Sequence, residues 1–129
     1  MTDDVHKAIK TRIKTLGYPV AWENRKYVPT EGVPWIRSKF MPVDAKAAAI
    51  GSSAERRETG VHFITVFAPA NKGDGPASTM AKAVLEAFPI GGSLTYGTTS
   101  VRIEKSYRKD GVPEPDWYGI PVVINWRAD

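Results

Sequence analysis

The chain of 129 residues contains no cysteine, and this absence excludes a whole class of chemistry. Without a thiol there is no disulfide framework, no thiolate nucleophile and no cysteine-ligated zinc or iron–sulfur site. Histidine is nearly as scarce, with only His6 and His62. Neither is followed three or four residues later by a histidine or a carboxylate, the spacing at which a helix brings two ligands together. The sequence therefore predicts no metal site and no cofactor.

Long apolar runs are also missing. No window of the sequence approaches the roughly 18 apolar residues of a membrane span. The first residues, MTDDV, carry acids where a signal peptide carries bases, so we expect a cytoplasmic protein with no membrane partner. The apolar fraction of 42% and the charged fraction of 25% are typical of a globular protein. We predict a single domain over residues 1–129.

Hydrophobic periodicity predicts two amphipathic helices, at residues 3–16 and 76–88, each with one apolar face. Alternation of apolar and polar residues predicts strands at 20–23, 34–43, 59–68, 93–96, 100–108 and 117–126. Two helices with one apolar stripe each need a sheet to cover that stripe. The sequence therefore predicts an α+β fold in which two helices pack on a mostly antiparallel β-sheet.

The predicted strand at residues 59–68 is apolar on both faces, which is typical of a central strand that is covered on both sides in the final assembly. Proline gives the opposite signal elsewhere, because it cannot donate a ladder hydrogen bond. Pro34 and Pro42 therefore suggest that their strand lies at an edge. Pro121 suggests an edge position for the last strand, or at least an unpaired N–H at that point.

Residues 44–58, DAKAAAIGSSAERRE, have no amphipathic period and are predicted to form a long mobile loop. Loops of this length are uncommon in a compact domain and are usually functional or mobile. The loop ends in Arg56, Arg57 and Glu58, which carry both charge signs beside the central strand. These residues could form ion pairs between subunits, or they could be a solvated charged loop. A large apolar ring near a chain end must be covered. The Trp126 side chain is therefore expected either in the core or in a subunit interface.

Catalytic motifs are absent. The chain has neither a G-x-S-x-G nucleophile turn nor a phosphate-binding P-loop. Glu114 and Asp116 lie in a proline-rich loop, where burial would not tune a carboxyl for acid–base catalysis. We predict no enzymatic activity. A small enzyme could still use His62 with the hydroxyls of Tyr107 and Tyr118, if a cleft held a histidine with a displaced pKa.

The net charge of +4 raises the possibility of an anionic partner. The basic residues are dispersed, however, and no run exceeds two. No aromatic RNA-binding motif or helix-turn-helix spacing appears. A small basic nucleic-acid-binding domain is therefore the alternative function, and specific nucleic-acid binding is not predicted.

The order of segments resembles the phage tail-terminator-like family. The resemblance is carried by the strand Ala21–Asn24 (AWEN), by RRETGVHFITVFAPANKG (56–73), by the helix that ends at Pro89, and by the terminal IPVVINWRAD. It extends over nearly the whole chain, and the family's proline after the central strand corresponds to Pro69.

The resemblance implies an α+β subunit that assembles with copies of itself into a ring, expected to be a hexamer. Such a ring caps the tail tube, terminates tube polymerisation and offers a surface to the head–tail connector protein. It also implies a location in the virion tail, and in the host cytoplasm during assembly. No catalysis or cofactor is implied, so the expected partners are the protein itself, the tail tube protein and the connector.

Overall fold

The computed structural model describes residues 2–47 and 56–128, which form two α-helices and a seven-stranded sheet. The helices are α1, Thr2–Lys14, and α2, Gly75–Ala87. The strands, in chain order, are β1 Val20–Ala21, β2 Trp35–Ala47, β3 Arg56–Pro69, β4 Ser93–Tyr96, β5 Thr99–Arg108, β6 Val112–Pro113 and β7 Trp117–Ala128. The predicted α+β class is confirmed, but the sheet makes up more of the molecule than two helices on a sheet would suggest.

The sheet has the strand order β1-β2-β3-β7-β5-β4, and the short β6 pairs with the start of β7. The pairing of β1 with β2 is parallel, and the other described pairings are antiparallel. The strands β3 and β7 lie at the centre, as the two-sided apolar pattern of β3 predicted. The sequence analysis missed β6, whose only local signal is the Asp110-Gly111 turn before it.

Pro121 lies in a central strand, so the predicted edge position is wrong. No backbone N–H is needed at this position, as the other alternative predicted. The pairing of β5 with β7 ends at Val122, and the Pro121 carbonyl instead accepts a hydrogen bond from the backbone N–H of Lys109, at 2.8 Å. The backbone N and C=O of one strand residue point to the same side of the strand. The nitrogen of Pro121, which has no hydrogen to donate, therefore faces the place where β5 has ended, and no ladder hydrogen bond is lost.

Both helices pack on the same face of the sheet, called here the helix face. In α1, Val5, Ile9 and Ile13 are fully buried at helical spacing. In α2, the buried residues are Ala77, Met80, Ala81 and Val84. The helices begin and end within two residues of the predicted bounds, because Gly17, with φ of 82°, ends the first and Pro76 lies in the first turn of the second.

The helices cover alternate residues of the central strands. Ile64 and Val66 of β3 lie beside Ile120 and Val122 of β7, and all four are fully buried. Burying one such side chain stabilises the fold by about 1.5–3 kcal/mol. The core therefore lies between the two helices and one face of the sheet, and the other face of β3 and β7 takes no part in it.

The predicted loop at residues 44–58 is wrong at both of its ends. The strands β2 and β3 form a long antiparallel hairpin that pairs as far as Ala47 with Arg56, past an irregularity between Pro42 and Asp44. Residues 44–47 and 56–58 are therefore strand. Alanine, lysine and arginine have little intrinsic preference for strands, but backbone pairing with a partner strand overrides that preference. Residues 48–55 lie outside the described residues.

Candidate assembly surface

The second face of the sheet, called here the open face, is not covered by either helix. It consists of the side chains that alternate with the core residues: Arg37, Lys39 and Met41 of β2, Val61, Phe63 and Thr65 of β3, Lys105 and Tyr107 of β5, and Pro121, Val123 and Asn125 of β7. Except for Val123, these side chains are half-buried or exposed. A partly apolar sheet face that no other described element covers is typical of an interaction surface.

The cross-strand register arranges the open face in rows. One row runs Lys39, Phe63, Val123 and Tyr107, and the next runs Met41, Val61, Asn125 and Lys105. Met41 is 40% exposed and Tyr107 is 42% exposed, which is high for large apolar side chains on a sheet. The first row therefore has an apolar centre, Phe63 and Val123, and the second pairs Val61 with the polar Asn125. Each row has a lysine at one edge, on β2 in the first row and on β5 in the second.

The open face is also strongly basic. At its far end Arg102 and Arg127 are directly opposite each other in the register, which adds two more cations to Arg37, Lys39 and Lys105. Glu104 forms an ion pair with one of these arginines, with its Oε1 4.0 Å from Arg127 Nε. The cations outnumber the acids on this face, so its potential is positive.

An aromatic cluster closes the end of the open face where β2 and β7 begin. Trp35 stacks on Phe67 with ring centroids 4.2 Å apart, and Trp117 meets Trp35 edge-on at 5.9 Å. Tyr27, from the loop before β2, covers Trp35 at 5.3 Å. The Arg37 guanidinium lies 4.9 Å from the Phe67 centroid, a distance typical of a cation–π contact. This cluster gives the open face a rigid border.

Three loops meet beyond that border and form what we call the loop end, residues 28–33, 70–74 and 109–116. Parts of all three line one cleft of about 680 Å³. Their acidic residues are Glu31, Asp74, Asp110, Glu114 and Asp116, and their basic residues are Lys72 and Lys109. Their exposed apolar residues are Val28, Val33 and Val112. The loop end is therefore acidic and partly apolar, the opposite charge to the open face.

The structure describes the three predicted contact residues at the start of β3 to different extents. Arg56 and Arg57 pair along the backbone with Ala47 and Lys46 at the start of β3, and their side chains lie outside what the structure describes. Glu58 is a buried strand residue rather than part of a solvated loop, and it lies between Ala45 and Ala128. The predicted ion pairs between subunits stay a prediction.

Trp126 packs inside the chain. Its side chain is only 1% exposed, and its ring stacks parallel to Phe40 with centroids 5.4 Å apart. Gly60 makes room for this ring, because a Cβ at that position would lie 2.3 Å from Trp126 Cζ2. His6 stacks on the other side of the cluster, 4.4 Å from Phe40. A contact of Trp126 with another subunit stays a prediction, whereas its packing in the core is what the structure describes.

Among the described residues, His62 is the titratable group whose pKa is clearly displaced. It is fully buried, and its Nε2 lies 2.7 Å from Ser38 Oγ. Burial, with a second contribution from the charge of His6, lowers the pKa of His62 from 6.5 to about 3. A displaced pKa would suit the small-enzyme alternative. The ring is 0% exposed, however, and Tyr107 lies on the opposite face of the sheet, so the structure does not bring the proposed catalytic groups together.

Within residues 2–47 and 56–128, no three histidine, aspartate or glutamate side chains lie close enough together to hold a metal ion. In the same part of the chain, neither helix has the length and apolar character needed to cross a membrane.

Comparison with known proteins gives one family match and a set of matching solved structures. A family model described as phage tail terminator protein matches residues 4–126. No curated protein sequence matches the chain. Eight chains of solved structures match, and one of them, which carries no functional name, has a TM-score of 0.79 at 20% identity over 100% of this chain and 96% of that chain. This second likeness concerns the fold alone.

Proposed function

This chain belongs to the family of phage tail terminator proteins, and from this premise we propose that it assembles beside copies of itself into a ring on the tail tube. The ring, expected to be a hexamer, stops addition of tube subunits and presents a surface to the head–tail connector. The protein would act in the host cytoplasm during assembly and remain in the virion tail. The proposal contains no catalytic step and no cofactor.

The observation that carries this proposal is the family match over residues 4–126. The open face supports it, because Phe63, Met41 and Tyr107 leave apolar area in water that a neighbouring subunit would cover. Repetition of one modest contact around a closed ring makes the assembly more stable than any single contact.

The test is tube-length control. Purified tail tube protein is polymerised with and without this chain, and tube lengths are measured by negative-stain electron microscopy. We expect a cap of this protein at one end of each tube and a stop to elongation. Tubes that elongate equally in its presence, together with a chain that stays monomeric in sedimentation with tube present, would refute the proposed function.

A second candidate, a nucleic-acid-binding domain, is favoured by one observation, the basic side chains of the open face. Binding of duplex DNA is measured by fluorescence anisotropy at several salt concentrations. If phosphate contacts dominate, the logarithm of the binding constant falls steeply and linearly with the logarithm of the salt concentration. The tail-assembly proposal expects weak binding with no sequence preference.

A further inference from the structure

We propose that the acidic loop end of one copy docks on the basic, apolar open face of the next copy. This inference rests on the proposed ring and names the two surfaces that form it. The occupant of the open face is therefore a second copy of this chain, and the contact joins two different surfaces.

Charge is the first argument. The open face carries Arg37, Lys39 and Lys105, and its far end adds two arginines. The loop end carries mostly carboxylates, among them Glu114 and Asp116, and both of these side chains are exposed. Opposite potentials on two separate surfaces of one molecule steer copies into one relative orientation.

The apolar residues give a second, independent argument. Val112 of the loop end is 50% exposed, and Val28 and Val33 are exposed nearby. On the open face the exposed apolar residues are Met41 and Tyr107. Each surface therefore has apolar area bordered by charge of one sign, which matches the apolar centre and polar rim of subunit interfaces.

The same charges argue against a symmetric dimer. If two open faces met, Lys39 and Lys105 would face the same cations of the partner, and like charges in contact disfavour association. A contact between an open face and a loop end leaves one free surface of each kind on every pair of copies. Further copies then add in the same direction, and the array closes when the rotation between neighbours divides a full turn.

The test exchanges the charges of the two surfaces. Variant one is Lys39→Glu with Lys105→Glu on the open face, and variant two is Glu114→Lys with Asp116→Lys at the loop end. All four side chains are exposed, so folding should be retained, which circular dichroism checks. In each variant alone, the exchanged positions of one docking surface carry the same charge sign as the unchanged carboxylates or lysines of the other surface. In a mixture, the exchanged positions of variant one and variant two carry opposite signs, so the attraction between the two surfaces is restored.

Oligomers are measured by sedimentation velocity and native mass spectrometry, with tail tube protein present if the wild-type chain needs it. We expect each variant alone to require at least about tenfold more protein for half-assembly. The equimolar mixture, and a chain that carries all four substitutions, should return to the wild-type midpoint. The matched control, Lys7→Glu with Lys82→Glu on the two helices, has the same change in net charge and should assemble like the wild type.

Cross-linking locates the contact directly, because the natural chain has no cysteine. Lys39→Cys and Val112→Cys chains are mixed and treated with a short bismaleimide. We expect heterodimeric links in the mixture only, whereas a Lys82→Cys chain mixed with Val112→Cys should give at least about tenfold less product.

The outcomes separate this inference from the function on which it rests. Rings that form normally from both charge variants and give no Lys39–Val112 links would overturn the inference and leave the ring intact. Normal rings without these links, together with a loss of tube capping in variant one only, would assign the open face to the tube protein. That outcome would also overturn the inference. A wild-type chain that never associates, with or without tube, refutes both proposals.

Discussion

The two faces of strand β3 are built from neighbouring residues but differ in what covers them. On the helix face, Ile64 and Val66 are fully buried within the chain itself. On the open face, Phe63 and Thr65 remain half-exposed beside lysine and arginine. Packing against the helices holds the first set in place. The second set is less apolar and has no such cover from the helices.

Because of this difference, substitutions that change the stability of the fold should be separable from substitutions that change assembly. A substitution on the helix face should change the free energy of unfolding, because it opens or overfills a close-packed core. A substitution on the open face should change the midpoint of assembly and leave unfolding nearly unchanged. Four predictions test this division, in order of decreasing expected effect on stability.

The largest effect is expected at Ile64, which is fully buried. Ile64→Ala removes buried methylene and methyl groups and leaves a cavity, at a cost of about 4 kcal/mol. The neighbouring Phe63→Ala should cost only about 1 kcal/mol, because that ring is half-exposed. Urea unfolding monitored by tryptophan fluorescence measures both. Equal losses would show that the open face is part of the folding core.

The substitution Gly60→Ala tests the close packing of the helix face by adding one methyl group. Gly60→Ala would place a Cβ 2.3 Å from Trp126 Cζ2 and 2.9 Å from the Met41 carbonyl oxygen, so backbone as well as the ring must shift. We expect a loss of about 3 kcal/mol. The control is Gly75→Ala, which meets nothing within 4 Å and should be neutral within about 0.5 kcal/mol. The melting temperatures of the wild type and the two variants measure these losses. A Gly60→Ala chain as stable as the Gly75→Ala control would contradict the close packing around Trp126.

His62 makes stability depend on pH. The unfolded chain binds a proton at pH 6.5 and the folded chain does so only near pH 3, so protonation favours unfolding. Stability should be complete above pH 6.5 and fall by roughly 1.4 kcal/mol per pH unit below it, or about 2 kcal/mol by pH 5. Urea midpoints at pH 7, 6 and 5 measure this slope. The His62→Gln chain keeps His6 and should have a much flatter profile; an unchanged slope would contradict the assignment to His62.

The smallest effect on folding is expected from the open-face charges. Lys39→Glu alone should change the free energy of unfolding by less than about 0.5 kcal/mol, because the side chain is exposed. The same substitution should still raise the concentration needed for half-assembly. Unfolding and sedimentation measured on one preparation provide the comparison. A large loss of stability with unchanged assembly would reverse the roles assigned to the two faces.

The candidate surface could be foreseen only in part. The apolar residues on both faces of β3 predicted that its second side is covered in an assembly, and the open face agrees with that pattern. Of the predicted contact residues, Glu58 is buried in the sheet and Trp126 in the core, whereas the side chains of Arg56 and Arg57 lie outside the described residues. A charged cluster beside a strand looks the same in sequence whether that stretch is a loop or the end of a hairpin.

By itself, the sequence determined the two amphipathic helices, the central strand β3, the α+β class and the family resemblance, because each depends on periodicity or order along the chain. Only the tertiary structure decided how far the β2–β3 hairpin extends and which sheet face the helices cover. It also gathered acidic loops from three distant segments at one end of the molecule. These features depend on contacts between residues far apart in sequence, and local pattern carries no information about which distant segments meet.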